Sequence, residues 1–188
     1  MATVALFHSI LGFRKVEMEA ATRMRGAGHT VVAPDLYSGR TATSIDEGFE
    51  LMSTIGWKTI CSRARAALDL VSETAVLAGH SMGTGVVGRV WPDRITCGGV
   101  VLLHGLAQIP HNVRHGVPAS VHIADPDEFA PPQEIAKWAA VAQKAGVRAD
   151  VFSYPNVGHF YTDEASSDHD QTATEQTWER VLNFLAWL

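Results

Sequence analysis

Short apolar runs rich in β-branched residues alternate with longer stretches of helical periodicity, and this alternation constrains the fold more than any other feature of the chain. Strand–helix–strand repetition of this kind is satisfied by a parallel sheet with helices on both faces. Strands are expected over residues 4–8, 29–33, 74–79, 98–103, 120–124 and 150–154. The run at 98–103 is apolar on both alternating sets of positions, as a central strand must be when helices cover both its sides. Helices are expected over 15–27, over 44–70, directly after Ser81, over 131–145 and from about residue 172. Ser44 with Glu47 has capping-box spacing, Gly56 is a point at which the second helical region can divide, and Glu175 stands in capping-box register with Thr172. In the last helix Trp178, Val181, Leu182 and Leu185 share one face.

A length of 188 residues predicts a single domain over 1–188. With 46% hydrophobic and 19% charged residues, disorder and coiled coils are excluded. The net charge of −5, with Lys and Arg scattered singly, offers no basic stripe, so nucleic acid is not an expected partner. No apolar run approaches the ~18 residues of a membrane helix, since His104, Gly105 and Pro110 break the stretch around Val100. Arg14 and Lys15 follow the first apolar stretch instead of preceding it, which is unlike a secretory leader and predicts a cytoplasmic protein without a membrane partner. Cys61 and Cys97 lack C-x-x-C spacing and read as small buried hydrophobes.

The segment Gly79-His80-Ser81-Met82-Gly83 is a G-x-S-x-G run between an expected strand and an expected helix. In a nucleophile elbow the Ser occupies a strained turn, and the small residues on either side let the backbone fold sharply enough to expose its hydroxyl. A Ser hydroxyl needs a base, and the base needs a partner that fixes its tautomer. On such a sheet the order along the chain is Ser, acid, His. Asp127 follows the fifth strand and His159 the sixth, so both emerge at the same sheet edge as Ser81; Asp125 and Glu128 are rival candidates for the acid. His8, His104 and His122 fall in or at the ends of strands and read as hydrogen-bonded core or rim residues. His111 and His115 have i, i+4 spacing, but Pro110 and the lack of an acidic neighbour argue against a metal pair. An oxyanion hole needs two N–H groups, one from Met82 after the Ser and one from the loop after the first strand, most simply Ile10. That loop lacks the Gly-rich spacing and Lys of a phosphate cradle.

With these residues in place the chain resembles the dienelactone hydrolase family of the α/β-hydrolase superfamily, nearly end to end. His8-Ser-Ile-Leu-Gly12 looks like its oxyanion loop, and Ala33-Pro-Asp-Leu-Tyr-Ser-Gly39 is similar to its A-P-D-L-Y-x-G segment. Asp127-Glu-Phe-Ala-Pro131 resembles the stretch bearing the family's acid, and Gly158-His159-Phe160 its histidine segment. The resemblance implies an α/β-hydrolase fold of about six mostly parallel strands, helices on both faces and no large lid. Three departures bear on substrate. Ser81 stands where the enzymes that give the family its name use Cys, Ser9 where they place a Glu, and Asp163 where they use an Arg to hold the lactone carboxylate. Ser9, Asp163 and His104 are the residues expected to line the substrate pocket, and a carboxylate at 163 would repel an anionic substrate.

The function expected is that of a serine hydrolase cleaving small carboxylic esters, lactones or thioesters through an acyl-enzyme, with Ser81, His159 and Asp127 as triad and no metal or cofactor. The partner expected is therefore a small-molecule ester or lactone, with the chain a monomer or homodimer. Two rival readings stay open: a hydrolase-fold protein that binds without turnover, and an acyltransferase or perhydrolase using the same triad.

Overall fold

A computed structural model describes residues 1–188. Its strands are β1 (Thr3–Phe7), β2 (Thr30–Val32), β3 (Val76–His80), β4 (Val100–Leu103), β5 (Pro118–Asp125) and β6 (Arg148–Pro155). The helices are α1 (Lys15–Gly26), α2 (Ile45–Ile55), α3 (Trp57–Leu68), α4 (Met82–Val90), α5 (Pro132–Ala145) and α6 (Gln171–Trp187). All six strands are parallel and run in the order β2-β1-β3-β4-β5-β6. This is the α/β-hydrolase fold, and residues 104–117, between β4 and β5, carry no helix. No helix is long and apolar enough to cross a membrane.

Strand alternation divides the core in two. Phe7, Leu77, Val100, Leu102, Val121 and Ile123 meet Ile60 and Ala64 of α3, Val86 and Val90 of α4 and Trp138 of α5. The intervening positions Val4, Leu6, Val76, Ala78, Val101 and Leu103 meet Ala20, Ala21 and Met24 of α1 and Trp178, Val181 and Leu185 of α6. A strand that is apolar at every position, such as β4, is what two helical layers demand.

Chain direction reverses between β1 and β3, since β1 leads outward to β2 while β3 leads the other way to β4 and β5. Crevices at such a switch point, outside the carboxyl ends of the strands, are where open α/β sheets bind ligands. Phe7 pairs with Gly79, so the loop after β1 and the turn after β3 leave the sheet side by side.

The elements differ from the sequence expectation mainly at their ends. Strands β5 and β6 extend further in both directions, because each completes an eight-residue ladder with the other. Gly56, at φ +85°, separates α2 from α3, while Ser44 caps α2 by accepting from the Glu47 N–H at 3.2 Å. Helix α6 starts before Thr172. Asp170 is its N-cap, accepting from the Ala173 N–H at 2.7 Å, and Glu175 turns outward to pair with Arg23. Asp caps strongly, and it pre-empts the Thr two residues later.

Candidate active site

Strand β3 ends at His80, and the chain turns into α4 through Ser81 at φ +52°, ψ −112°. A non-glycine residue in this region is strained, and the strain presents its side chain at the tip of the turn. The flanking glycines are required by close backbone approach. A Cβ on Gly79 would collide with the carbonyl of Gly83, and one on Gly83 with the carbonyl of Phe7. Thr84 Oγ1 donates to the Ser81 carbonyl at 2.8 Å and so closes the turn from inside.

Ser81 Oγ lies 2.9 Å from His159 Nε2, and His159 Nδ1 lies 2.8 Å from Asp127 Oδ2. A carboxylate only accepts, so Nδ1–H donates to Asp127, and in that tautomer Nε2 faces the Ser81 hydroxyl as an acceptor. The Phe129 N–H donates to Asp127 Oδ1 at 2.9 Å, fixing the carboxylate. Asp127 is 5% and His159 9% exposed, whereas Asp125 and Glu128 are exposed and touch neither ring nitrogen. Of the three acidic candidates, Asp127 alone reaches His159.

Ile10 and Met82 both line the cavity in front of Ser81. Met82 opens α4, so its N–H has no partner within the helix. Around Ile10 the loop is held by Gly12 N–H donating to the Ser9 carbonyl at 3.1 Å and by Ala42 N–H donating to the Leu11 carbonyl at 2.9 Å. Gly12 sits at φ +93°, and a Cβ there would come within 2.6 Å of the Arg40 carbonyl oxygen. Residues 33–39 buttress this region from the side. Leu36 N–H donates to His8 Nε2 at 3.0 Å, and the Tyr37 hydroxyl donates to Met82 Sδ at 3.1 Å; burial pushes that phenol up to about 12.

The cavity measures about 430 Å³. Its walls are Ile45, Phe49 and Met52 of α2, Trp57 of α3, Leu106, Phe129 and Phe160, with Ser81, Thr84, His104 and His159 as the polar side chains and no Lys, Arg, Asp or Glu. His104 lines it as expected. Burial, then the neighbouring charges of His80, His159 and His122, hold its ring well below the ordinary value, so it is neutral; Nε2 pairs with Thr162 Oγ1 at 2.8 Å.

Two expectations are corrected. Ser9 does not reach the cavity, because its backbone N–H is drawn to Glu17 and its side chain is fully buried. Asp163 does not reach it either. It is buried in an ion pair with Arg14, and the Ala165 N–H donates to it at 3.0 Å. A second Ser–His contact, Ser120 Oγ to His122 Nε2 at 2.9 Å, is buried in mid-strand; burial brings His122 down to about 3, and it serves as core. No group of three or more His, Cys, Asp and Glu side chains is arranged to hold a metal ion.

Sequence reasoning missed Glu17, whose buried carboxylate meets Ser9, Arg14 and His80. As an acidic residue in the first turn of a helix it carries the ordinary signal of an exposed dipole partner. The aromatic wall from α2 and α3 was also missed, since Phe49 and Trp57 lie in an amphipathic region that reads as core packing alone.

The model of the dienelactone hydrolase family matches residues 1–188. The chain belongs to the dienelactone hydrolase family. A protein of Aquifex aeolicus (strain VF5), named provisionally as a carboxymethylenebutenolidase, is 24% identical over 88% of this chain and 78% of its own. Among solved structures, a dienelactone hydrolase-like promiscuous phosphotriesterase from metagenomic libraries superposes with a TM-score of 0.83 at 17% identity, over 100% of this chain and 87% of its own. Esterase PE8 superposes with a TM-score of 0.66 at 16% identity, over 98% and 91%. At these identities the superpositions speak for the fold, and the family membership for hydrolase chemistry.

Proposed function

We propose that this member of the dienelactone hydrolase family is a serine hydrolase that cleaves small, neutral carboxylic esters, thioesters or lactones through an acyl-enzyme. The observation that carries the reading is the continuous line from Ser81 Oγ through His159 to Asp127, 2.9 and 2.8 Å, opening on an uncharged apolar cavity. His159 Nε2 takes the Ser81 proton as Oγ bonds to the substrate carbonyl carbon. The carbonyl oxygen becomes an oxyanion, received by the N–H groups of Ile10 and Met82. Asp127 holds the imidazolium that results. His159 then passes its proton to the leaving oxygen or sulfur, the bond to it breaks, and an acyl-Ser81 ester remains. Water, deprotonated by His159, repeats the sequence and frees the acid. The cavity contributes by desolvating an apolar acyl or alcohol portion and by excluding water from the developing charge.

Stopped-flow hydrolysis of a p-nitrophenyl ester tests the mechanism. A burst of p-nitrophenol stoichiometric with enzyme is expected. Loss of kcat by roughly 10⁴- to 10⁶-fold is expected in Ser81→Ala and His159→Ala, and by about 10³- to 10⁴-fold in Asp127→Asn. Near-wild-type kcat in Ser81→Ala contradicts the proposal.

A further inference from the structure

Glu17 is a buried carboxylate that forms no ion pair with a Lys or Arg side chain. It is 1% exposed, and the one titratable side chain within hydrogen-bond distance of it is an imidazole, His80. Burial alone raises the energy of its ionised form, so a carboxylate at such a position is retained only where it is well supplied with donors. The donors here come from two different segments. Ser9 N–H donates to Oε1 at 3.2 Å and Arg14 N–H to Oε2 at 2.9 Å, which are points near the two ends of the loop after β1. His80 Nδ1 lies 3.1 Å from Oε1 and is the residue immediately before Ser81. Since the carboxylate only accepts, His80 carries its proton on Nδ1, and Nε2, buried, has no partner. Glu17 is thus the single hydrogen-bonding tie of the His80 ring.

The two segments joined by Glu17 are the two that supply the oxyanion donors. Ile10 follows Ser9, and Met82 is two residues beyond His80. The backbones of β1 and β3 stop pairing at Phe7 and Gly79, before either donor is reached. Past that point the loop and the elbow leave the ladder, and Glu17 bridges them. We infer that Glu17 is a positioning residue that sets the spacing between the Ile10 and Met82 N–H groups, acting through Ser9 and His80. This rests on the serine-hydrolase reading above and deepens it. Glu17 does not line the cavity and touches no reacting atom.

The carboxylate cannot be replaced by its amide. Gln offers one acceptor oxygen and an NH₂ that faces either the Arg14 N–H or the pair of donors from Ser9 and His80, so at least one donor loses its partner. A displacement of the oxyanion donors lowers transition-state binding more than substrate binding. Glu17→Gln is therefore expected to lose about 10- to 100-fold in kcat with KM held within about threefold. The distinguishing readout is a pair of inhibitors sharing one acyl chain, a trifluoromethyl ketone that adds Ser81 to give an oxyanion and the methyl ketone that stays a carbonyl. The Ki of the trifluoromethyl ketone is expected to rise by the same factor as kcat/KM falls, while that of the methyl ketone stays level.

Should Glu17→Gln fail to fold, His80 carries the test. His80→Asn keeps an N–H donor near the place of Nδ1, and His80→Leu does not; the Asn variant is expected to retain at least about tenfold more kcat than the Leu variant. Wild-type protein that neither turns over esters nor is inhibited by the trifluoromethyl ketone overturns the serine-hydrolase reading. An active wild type with Glu17→Gln or His80→Leu within twofold of it, with both ketones weakened alike, or with Asn and Leu equal at position 80, overturns the role of Glu17 alone.

Discussion

Asp163 is paired with Arg14, the N-cap residue of α1, and neither side chain forms part of the cavity wall. The position at which the family's lactone-cleaving enzymes carry an Arg is here the acidic half of an internal ion pair linking the first and last active-site loops.

Neutral substrates are still expected to be preferred, but because the cavity lacks any cation and not because Asp163 repels anions. Moving a carboxylate from water into an apolar wall without a partner is costly. A neutral ester should exceed its carboxylate-bearing analogue in kcat/KM by roughly ten- to a hundredfold, and Asp163→Asn should leave that ratio unchanged within about twofold. A ratio that collapses in Asp163→Asn would place the charge of Asp163 in contact with substrate.

The same pair predicts a stability effect. Asp163 is buried and Arg14 is 20% exposed in its side chain, so deleting the acid leaves a partly buried guanidinium short of an acceptor. Asp163→Asn should cost about 1–3 kcal/mol, less than the loss of a fully buried pair because water reaches Arg14. Thermal unfolding of the variant beside wild type checks this, and an unchanged Tm would contradict it.

Glu17 predicts part of the acid response. Burial works against its ionisation, yet the hydrogen bond and charge of His80 and the N–H groups of Arg14 and Ser9 hold it down at about 2, against 4.5 for a free Glu. A folded value below the unfolded one means stabilisation present above about pH 4.5 and lost as pH falls through 4.5 toward 2. At neutral pH the contribution is on the order of 3 kcal/mol. Urea unfolding at pH 7, 4 and 2.5 should show wild type losing its advantage over Glu17→Gln across that window. Parallel pH dependence in the two proteins would contradict the assignment.

Gly83 predicts a steric failure. A Cβ at this position meets the backbone carbonyl of Phe7, which is fixed in the β1–β3 ladder and cannot yield. Gly83→Ala should either prevent folding or push the elbow outward and abolish turnover. Gly28→Ala, in open space, should cost only the strain of its positive φ, about 1 kcal/mol. Circular dichroism and ester hydrolysis on both variants separate the two cases.

Much of this was legible in the sequence because strands β1, β3 and β4 are central, and central parallel strands are written as uninterrupted apolar runs. The order Ser81, Asp127, His159 was legible for a related reason, since each residue lies just past a strand and the sheet itself brings them together. The choice between Asp125 and Asp127 was less so, because two residues of an irregular loop decide it. Asp163 and Glu17 were misread or missed because the partners that hold them inside, Arg14 for the one and Ser9 and His80 for the other, are brought to them by the packed fold. Charge in a short acidic stretch or a first helical turn ordinarily signals solvent, and only the packed structure shows it buried.

Every step proposed at this site depends on Ser81 being its activated nucleophile. Intact-mass analysis after brief exposure to a fluorophosphonate, with wild type beside Ser81→Ala and His159→Ala, tests it most directly. A single adduct is expected on wild type, mapped to Ser81 by peptide sequencing, absent from Ser81→Ala and formed far more slowly on His159→Ala. Full labelling of Ser81→Ala, or an unlabelled wild type, would contradict that role for Ser81.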